Sequence, residues 1–320
     1  MTKRKILVVA HAHRNDTVEA AVRVVDTLTR SGALAVMDAE DRADLSVLAP
    51  VLSDVAVLGV DVPVADVDLA IVLGGDGTIL RAAELVREGT APVLGINMGH
   101  VGFLAEIERD NMDAAVARAI AGDYDVEERL ALAVKVRDAR GEVVFESFAL
   151  NEVTVEKDSP GRMIEVVLEI DRRPLSSFGA DGVVIATPTG STAYAFSAGG
   201  PVVWPTVQAI TVVPISAHAL FARPLVVGPE HAVALELQNS PGASGVVWCD
   251  GRRSYALPAG ARVSVRRSPV PVRLARLHPA AFTDRLVRKF QLPVQGWRGP
   301  SGSMQTTSIN IVKPNSEGTR

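Results

Sequence analysis

The feature that most constrains this chain is a single change in its hydrophobic patterning near Tyr124. Upstream, short apolar runs at residues 6–10, 34–37, 69–73 and 93–96 alternate with segments of helical spacing. Continuous apolar strands between amphipathic helices predict a parallel sheet covered on both faces. Asp16 and Glu19 have capping-box spacing, Val18, Val22, Val25 and Leu28 share a face, and Gly32 can end that helix. Downstream, alternating runs at 130–136, 143–148, 164–170 and 233–237 are separated by turn signals at 138–141, 171–173 and Asp250-Gly251. That texture predicts a largely antiparallel β-sandwich. Phe282, Leu286 and Phe290 recur at four-residue spacing, so a last helix is expected to pack back on the first domain. The expected fold is thus an α/β N-terminal domain over residues 1–124 and a β-sandwich over 125–277. A returning helix over 278–297 and a flexible tail or appended remnant over 298–320 would follow.

At 320 residues with 48% hydrophobic content, the chain is long enough for two cores. Lys+Arg 33 against Asp+Glu 37 leaves a net charge of −4, which argues against a nucleic-acid partner. Cys249 is the sole cysteine, so neither an internal disulfide nor a cysteine metal cluster can form, and a reducing cytoplasm fits. The apolar run after Lys3-Arg4-Lys5 is shorter than the roughly 7 residues a signal peptide needs. Residues 182–222 contain no Asp, Glu, Lys or Arg, yet their Gly, Pro, Ser and Thr leave no stretch of about 20 apolar residues to span a membrane. The six histidines show no metal-ligand spacing; His11 and His13 read as loop residues. Glu127 and Glu128 read as a solvated strand end.

Chemistry concentrates where the apolar run at 69–73 meets Gly74-Gly75-Asp76-Gly77-Thr78 and passes into a helical segment at 79–88. Gly74, Gly75, Gly77 and Thr78 form a phosphate-loop candidate, because bare backbone amides and a helix N-terminus favour phosphate oxygens. It is neither a Walker A loop nor the Gly-x-Gly-x-x-Gly of dinucleotide folds. Asp76 would repel phosphate at close range. Its presence makes sense if it accepts a proton from an attacking hydroxyl or holds a metal; the plainer alternative is a helix cap in a tight turn.

The pentapeptide resembles the GGDGT motif shared by NAD kinases, diacylglycerol and sphingosine kinases and 6-phosphofructokinases. The run from Gly179-Ala180-Asp181-Gly182 through Thr187-Pro188-Thr189-Gly190-Ser191-Thr192-Ala193-Tyr194 to Ser197-Ala198-Gly199-Gly200-Pro201 is similar to the second signature of NAD kinases. Asn97-Met98-Gly99-His100-Val101-Gly102-Phe103-Leu104 and Asn151-Glu152 agree with it. The resemblance extends to about residue 290. It implies an enzyme that transfers a phosphoryl group from ATP, or from polyphosphate, to the 2′-hydroxyl of the adenosine ribose of NAD. Asp76 would then be the catalytic base or orienting carboxylate, and Gly75 and Gly77 would admit the phosphates. Asn151 and Glu152 match the pair that contacts the dinucleotide. Thr192, Ala193, Tyr194 and Ser197 match the stretch around adenine, and Asp181 a carboxylate near the nicotinamide. Arg81 and Arg162 stand where phosphate-facing basic residues often lie, and each is equally readable as a surface arginine. Arg252 departs from the glutamine of many relatives, and Asp250-Gly251 is readable as an ordinary hairpin turn. No protein metal ligands are identified; a divalent cation, Mg²⁺, would arrive with the donor. Relatives usually form homodimers or homotetramers. The rival readings are a lipid kinase sharing the glycine loop and a non-catalytic dinucleotide sensor.

Overall fold

The alternating side chains of the first strand, Lys5–Ala10, enter two different cores. Ile6, Val8 and Ala10 pack with Val18, Ala21, Val24 and Leu28 of the helix Asn15–Arg30 and with Met112, Ala115, Val116 and Ala119 of the helix Met112–Ala121. Leu7 and Val9 face the other way, onto Ile79, Leu80, Ala82 and Ala83 of the helix Asp76–Leu85. Burial on both faces is why these strands are apolar throughout instead of alternating. The computed structural model describes residues 3–11, 15–99, 102–105, 107–239, 243–277 and 281–294. The expected tail over 298–320 lies outside the described residues.

The first sheet runs Ala56–Val57, Leu34–Met37, Lys5–Ala10, Leu69–Leu73, Val93–Asn97, Val272–Arg276, Asp125–Arg129. Its strands are parallel except the last, which lies antiparallel to Val272–Arg276. This corrects the expected boundaries. Asp125–Arg129 and Val272–Arg276 fall outside the sandwich and complete the α/β sheet. The cause is charge pairing between strands far apart in sequence: Arg276 bonds Glu127 at 2.6 Å and Arg273 bonds Glu128 at 3.2 Å. Glu127 is therefore no solvated strand end. Burial works to raise its carboxyl, but Arg276 and Arg129 outweigh that and hold it below the usual range.

Between those two strands the chain builds two six-stranded antiparallel sheets. One runs Leu225–Val227, Ile210–Ile215, Gly182–Ala186, Glu152–Lys157, Ser244–Cys249, Arg253–Pro258, and the other runs Arg173–Ala180, Ile164–Ile170, Val233–Leu237, Arg262–Arg267, Leu132–Arg137, Val143–Ala149. Val153, Val155, Val183, Ile185 and Val247 of the first meet Leu132, Val134, Val166, Leu235 and Val263 of the second in a shared core. The two domains are continuous in packing, since Phe148 and Leu150 join the core beneath the helix Asp76–Leu85. Arg87 and Arg253 flank the Phe148 ring, each guanidinium 4.2 Å from its centroid.

Candidate active site

The strand Leu69–Leu73 delivers Gly74 and Gly75 to the carboxyl end of the parallel sheet, where open α/β folds bind ligands. Gly74 is required by packing, because a Cβ there would collide with the buried Thr78 hydroxyl. Gly75 and Gly77 are different: a Cβ on either would meet nothing within 4 Å. The fold itself makes no use of their bareness, which leaves backbone open beside Asp76. The helix begins at Asp76, three residues earlier than its apolar pattern suggests, so the carboxylate stands in the first turn. There Asp76 Oδ2 accepts the Phe103 N–H and Oδ1 accepts the Leu104 N–H, both at 2.9 Å. Gly102 is packed against the same carboxylate. Asp76 thereby joins the glycine loop to the 97–104 block, and each oxygen retains a lone pair for a further donor.

Asn151 and Glu152 open the strand Glu152–Lys157 and are both 8% exposed. They are held by Asp250, whose carboxylate accepts the N–H groups of Leu150 at 2.9 Å, Asn151 at 2.7 Å and Glu152 at 3.3 Å. Asp250 and Gly251 have φ of 54° and 62°, so the Asp-Gly turn is a true hairpin turn whose side chain also reaches back to organise the site. Asp250 is thus both a hairpin-turn residue and a support of the site. On the other side, Gly190 presses so closely on the Asn151 carbonyl that no Cβ fits. Glu152 is the most perturbed group here. Burial first, and then the neighbouring Asp250 charge, push its carboxyl up to about 8, while a backbone N–H from Tyr194 works the other way. Its Oε2 is buried without a hydrogen-bond partner, an unmet polar group of the kind a ligand hydroxyl satisfies.

Tyr194 opens the short helix Tyr194–Ser197 and is 39% exposed. Burial, then the carboxylates of Glu156, Glu152 and Asp181, push its phenol up. Thr192 donates to the Thr189 carbonyl at 3.3 Å, Ala193 is half-buried and Ser197 exposed. Asp181 pairs with Lys157 at 2.5 Å, and that ammonium holds its carboxyl below the usual range. The structure therefore brings Asn151, Glu152, Asp181, Thr192, Ala193, Tyr194 and Ser197 into one neighbourhood.

One expected residue turns elsewhere. Arg81 is 6% exposed and its guanidinium is enclosed by Asp41, by Asp38 at 2.8 Å and by Glu40 at 3.4 Å. It turns toward the helix Ala39–Leu48, so in this structure its charge is neutralised by carboxylates instead of facing a phosphate. Arg162 is exposed in the turn between Glu152–Lys157 and Ile164–Ile170. Arg252, the departure noted above, bonds Glu84 of the glycine-loop helix at 3.3 Å. No local pattern signals a second link across the cleft, in which Arg129 bonds both Glu127 and the Thr189 hydroxyl and Arg276 reaches the Leu104 carbonyl. Asp250, Gly190, Arg129 and Arg276 all act on partners too distant for local patterning to reveal. Among the described residues no group of three or more His, Cys, Asp or Glu side chains converges to hold a metal.

Both halves of the chain match family models, the ATP-NAD kinase N-terminal domain at residues 6–124 and the ATP-NAD kinase C-terminal domain at 150–277. The chain belongs to the NAD kinase family. Similar curated members include the NAD kinase of Leifsonia xyli subsp. xyli, 62% identical over 300 residues, covering 94% of this chain and 98% of that one. The NAD kinase of Mycobacterium tuberculosis is 52% identical over 307 residues, covering 92% and 98%. Two solved NAD kinase-type structures share the fold. Yeast NADH kinase complexed with NADH superposes with a TM-score of 0.80 at 21% identity, covering 96% of this chain and 90% of that one. The Archaeoglobus fulgidus NAD kinase in complex with ATP gives 0.66 at 24%, covering 91% and 99%. Nothing in these matches favours the lipid-kinase alternative.

Proposed function

We propose that this chain transfers the terminal phosphoryl group of ATP to the 2′-hydroxyl of the adenosine ribose of NAD, giving NADP. The observation that carries the reading beyond family membership is the buried, unsatisfied Oε2 of Glu152, set beside Asn151 and Tyr194. An unpartnered carboxyl oxygen kept dry beside an aromatic ring suits a ribose hydroxyl below a stacked base. Asn151 adds a side-chain amide next to it, and the ring of Tyr194 offers the adenine a face. Asp76 accepts the proton of the attacking hydroxyl while the Phe103 and Leu104 amides fix its orientation. Gly75 and Gly77 lay bare backbone where the donor phosphates would approach. Asp181 would serve the far end of the dinucleotide.

Mg²⁺ suits this arrangement as a cation bound chiefly through the donor phosphates; it would neutralise charge on the transferred group. No helix among the described residues is long and apolar enough to cross a membrane, and we read the enzyme as cytoplasmic. Leu220 and Phe221, 112% and 57% exposed beyond the strand Ile210–Ile215, suit burial in a homodimer or homotetramer. The test is NADP formation by the purified chain from NAD, with ATP and with polyphosphate, read by an NADP-specific dehydrogenase. Formation with ATP is expected. Tight NAD binding without any NADP from either donor would leave a dinucleotide sensor and sink the kinase reading.

A further inference from the structure

The C-terminal helix Phe282–Phe290 carries none of the residues assigned to substrate above, yet it touches both walls of the site. On one wall, the Phe103 ring lies 6.1 Å from Phe282 and 5.7 Å from Phe290. On the other, Phe290 packs on Phe196 at 4.5 Å and Phe282 meets Trp204 edge-on at 4.8 Å. Phe196 lies within the Tyr194–Ser197 helix. The two aromatic rings thus span from the loop that holds Asp76 to the turn that presents Tyr194.

A polar contact sharpens this link. Arg285 Nη1 donates to the Phe103 carbonyl at 2.6 Å. The same peptide unit donates its N–H, that of Leu104, to Asp76 Oδ1 at 2.9 Å. One peptide is therefore held at its oxygen by a guanidinium and at its nitrogen by the proposed catalytic carboxylate. A cation on the carbonyl polarises the amide and makes it a stronger donor. Arg276 does the same to the next carbonyl, that of Leu104, at 3.2 Å, and Arg288 ties the helix to Glu108.

We infer that Arg285 and Phe290 are positioning residues: the C-terminal helix clamps the Phe103-Leu104 peptide so that Asp76 is held at a fixed reach from the Tyr194 turn. Arg285 acts on Asp76 through the peptide. Phe290 acts on both walls. The inference rests on the phosphotransfer reading for its kinetic consequence and on geometry alone for the clamp.

The experiment compares the wild-type chain with Arg285→Ala, Arg285→Lys and Phe290→Ala. It measures kcat, KM for NAD, and amide hydrogen exchange of a peptide covering residues 102–105 without ligand. Misplacing a reacting group by about 1 Å costs up to roughly 100-fold. Arg285→Ala should therefore lower kcat by at least about tenfold with KM for NAD held within about twofold, and should speed exchange in that peptide. Arg285→Lys should recover part of both effects, and Phe290→Ala should lower kcat and raise KM together. Unchanged exchange in Arg285→Ala overturns the clamp, and faster exchange with wild-type kcat overturns its positioning role. If Arg285→Ala does not fold, Arg285→Lys against the wild type decides by the same two readouts. A wild-type chain that makes no NADP sinks the activity reading instead, and the exchange data still decide whether Arg285 holds the peptide.

Discussion

Replacing Glu152 by Gln keeps the shape of the side chain and removes its titration, so it isolates what the buried carboxyl does to the fold. The folded protein holds this proton to about pH 8, against an ordinary value of 4.5. Between those values the folded state keeps a proton that the unfolded state has released. Stability from this group is therefore present at low pH and lost as pH rises through about 8. Each pKa unit is worth about 1.4 kcal/mol, which sets a ceiling of about 5 kcal/mol over the whole window. From pH 6 to pH 8 the wild-type protein loses about 2 kcal/mol of it. Glu152→Gln should lose none of that part. Asp250 is also pushed up by burial, so the difference between the two proteins is the measured quantity and not the slope of either alone. The assay is thermal unfolding of the ligand-free proteins at half-unit steps from pH 6 to pH 8, where about 2 kcal/mol corresponds to about 4 °C in Tm. The wild-type Tm should fall relative to the variant across that interval. Parallel curves would refute the claim that Glu152 is buried as a neutral acid.

Asp76→Asn keeps the side chain's shape but removes the proton acceptor and sets an NH₂ against one of the Phe103 and Leu104 N–H groups, and should cost roughly 10²–10⁴ in kcat with calorimetric NAD affinity largely kept. Arg81→Ala leaves Asp41, 4% exposed, without its guanidinium partner and should destabilise by about 3–5 kcal/mol in denaturant titration. A variant of unchanged stability with weakened nucleotide binding would restore the phosphate-facing role. Gly190→Ala drives a methyl into the Asn151 carbonyl and should lower stability by about 1–3 kcal/mol while weakening NAD binding; a variant that matches the wild type in both would show that the contact can relax freely.

The parallel sheet was legible because its inner strands are buried on both faces, and a run such as Leu69–Leu73 cannot be disguised by polar alternation. Asp125–Arg129 was not. It reads Asp-Val-Glu-Glu-Arg, and its charges are matched by arginines on a strand that follows about 150 residues later. Local patterning cannot show a partner at that distance. The site was legible in its residue types, since Asp76, Asn151, Glu152 and Tyr194 are named by motifs, but not in its supports. Asp250 had a sufficient local explanation as a turn residue, which concealed the three backbone amides it organises. Arg81 follows the glycine motif closely in sequence, and only the fold shows that Asp38 and Asp41 intercept it.

The return of Val272–Arg276 to the first sheet has a consequence for how the molecule is made. A chain leaving the ribosome at about 5–20 residues per second exposes Val93–Asn97 roughly ten to thirty seconds before Val272–Arg276, which pairs with it at Val93, exists. For that interval only the two-residue strand Ile107–Glu108 lies beside Ile96 and Asn97, and the Val93 end of the edge stays unpaired, the kind of surface that recruits chaperones or joins a neighbouring chain. The sandwich must form in the meantime, and only then can the sheet close. Release of a truncated product ending before residue 272 would leave that edge open permanently, so premature termination here is expected to yield aggregation instead of a small folded domain.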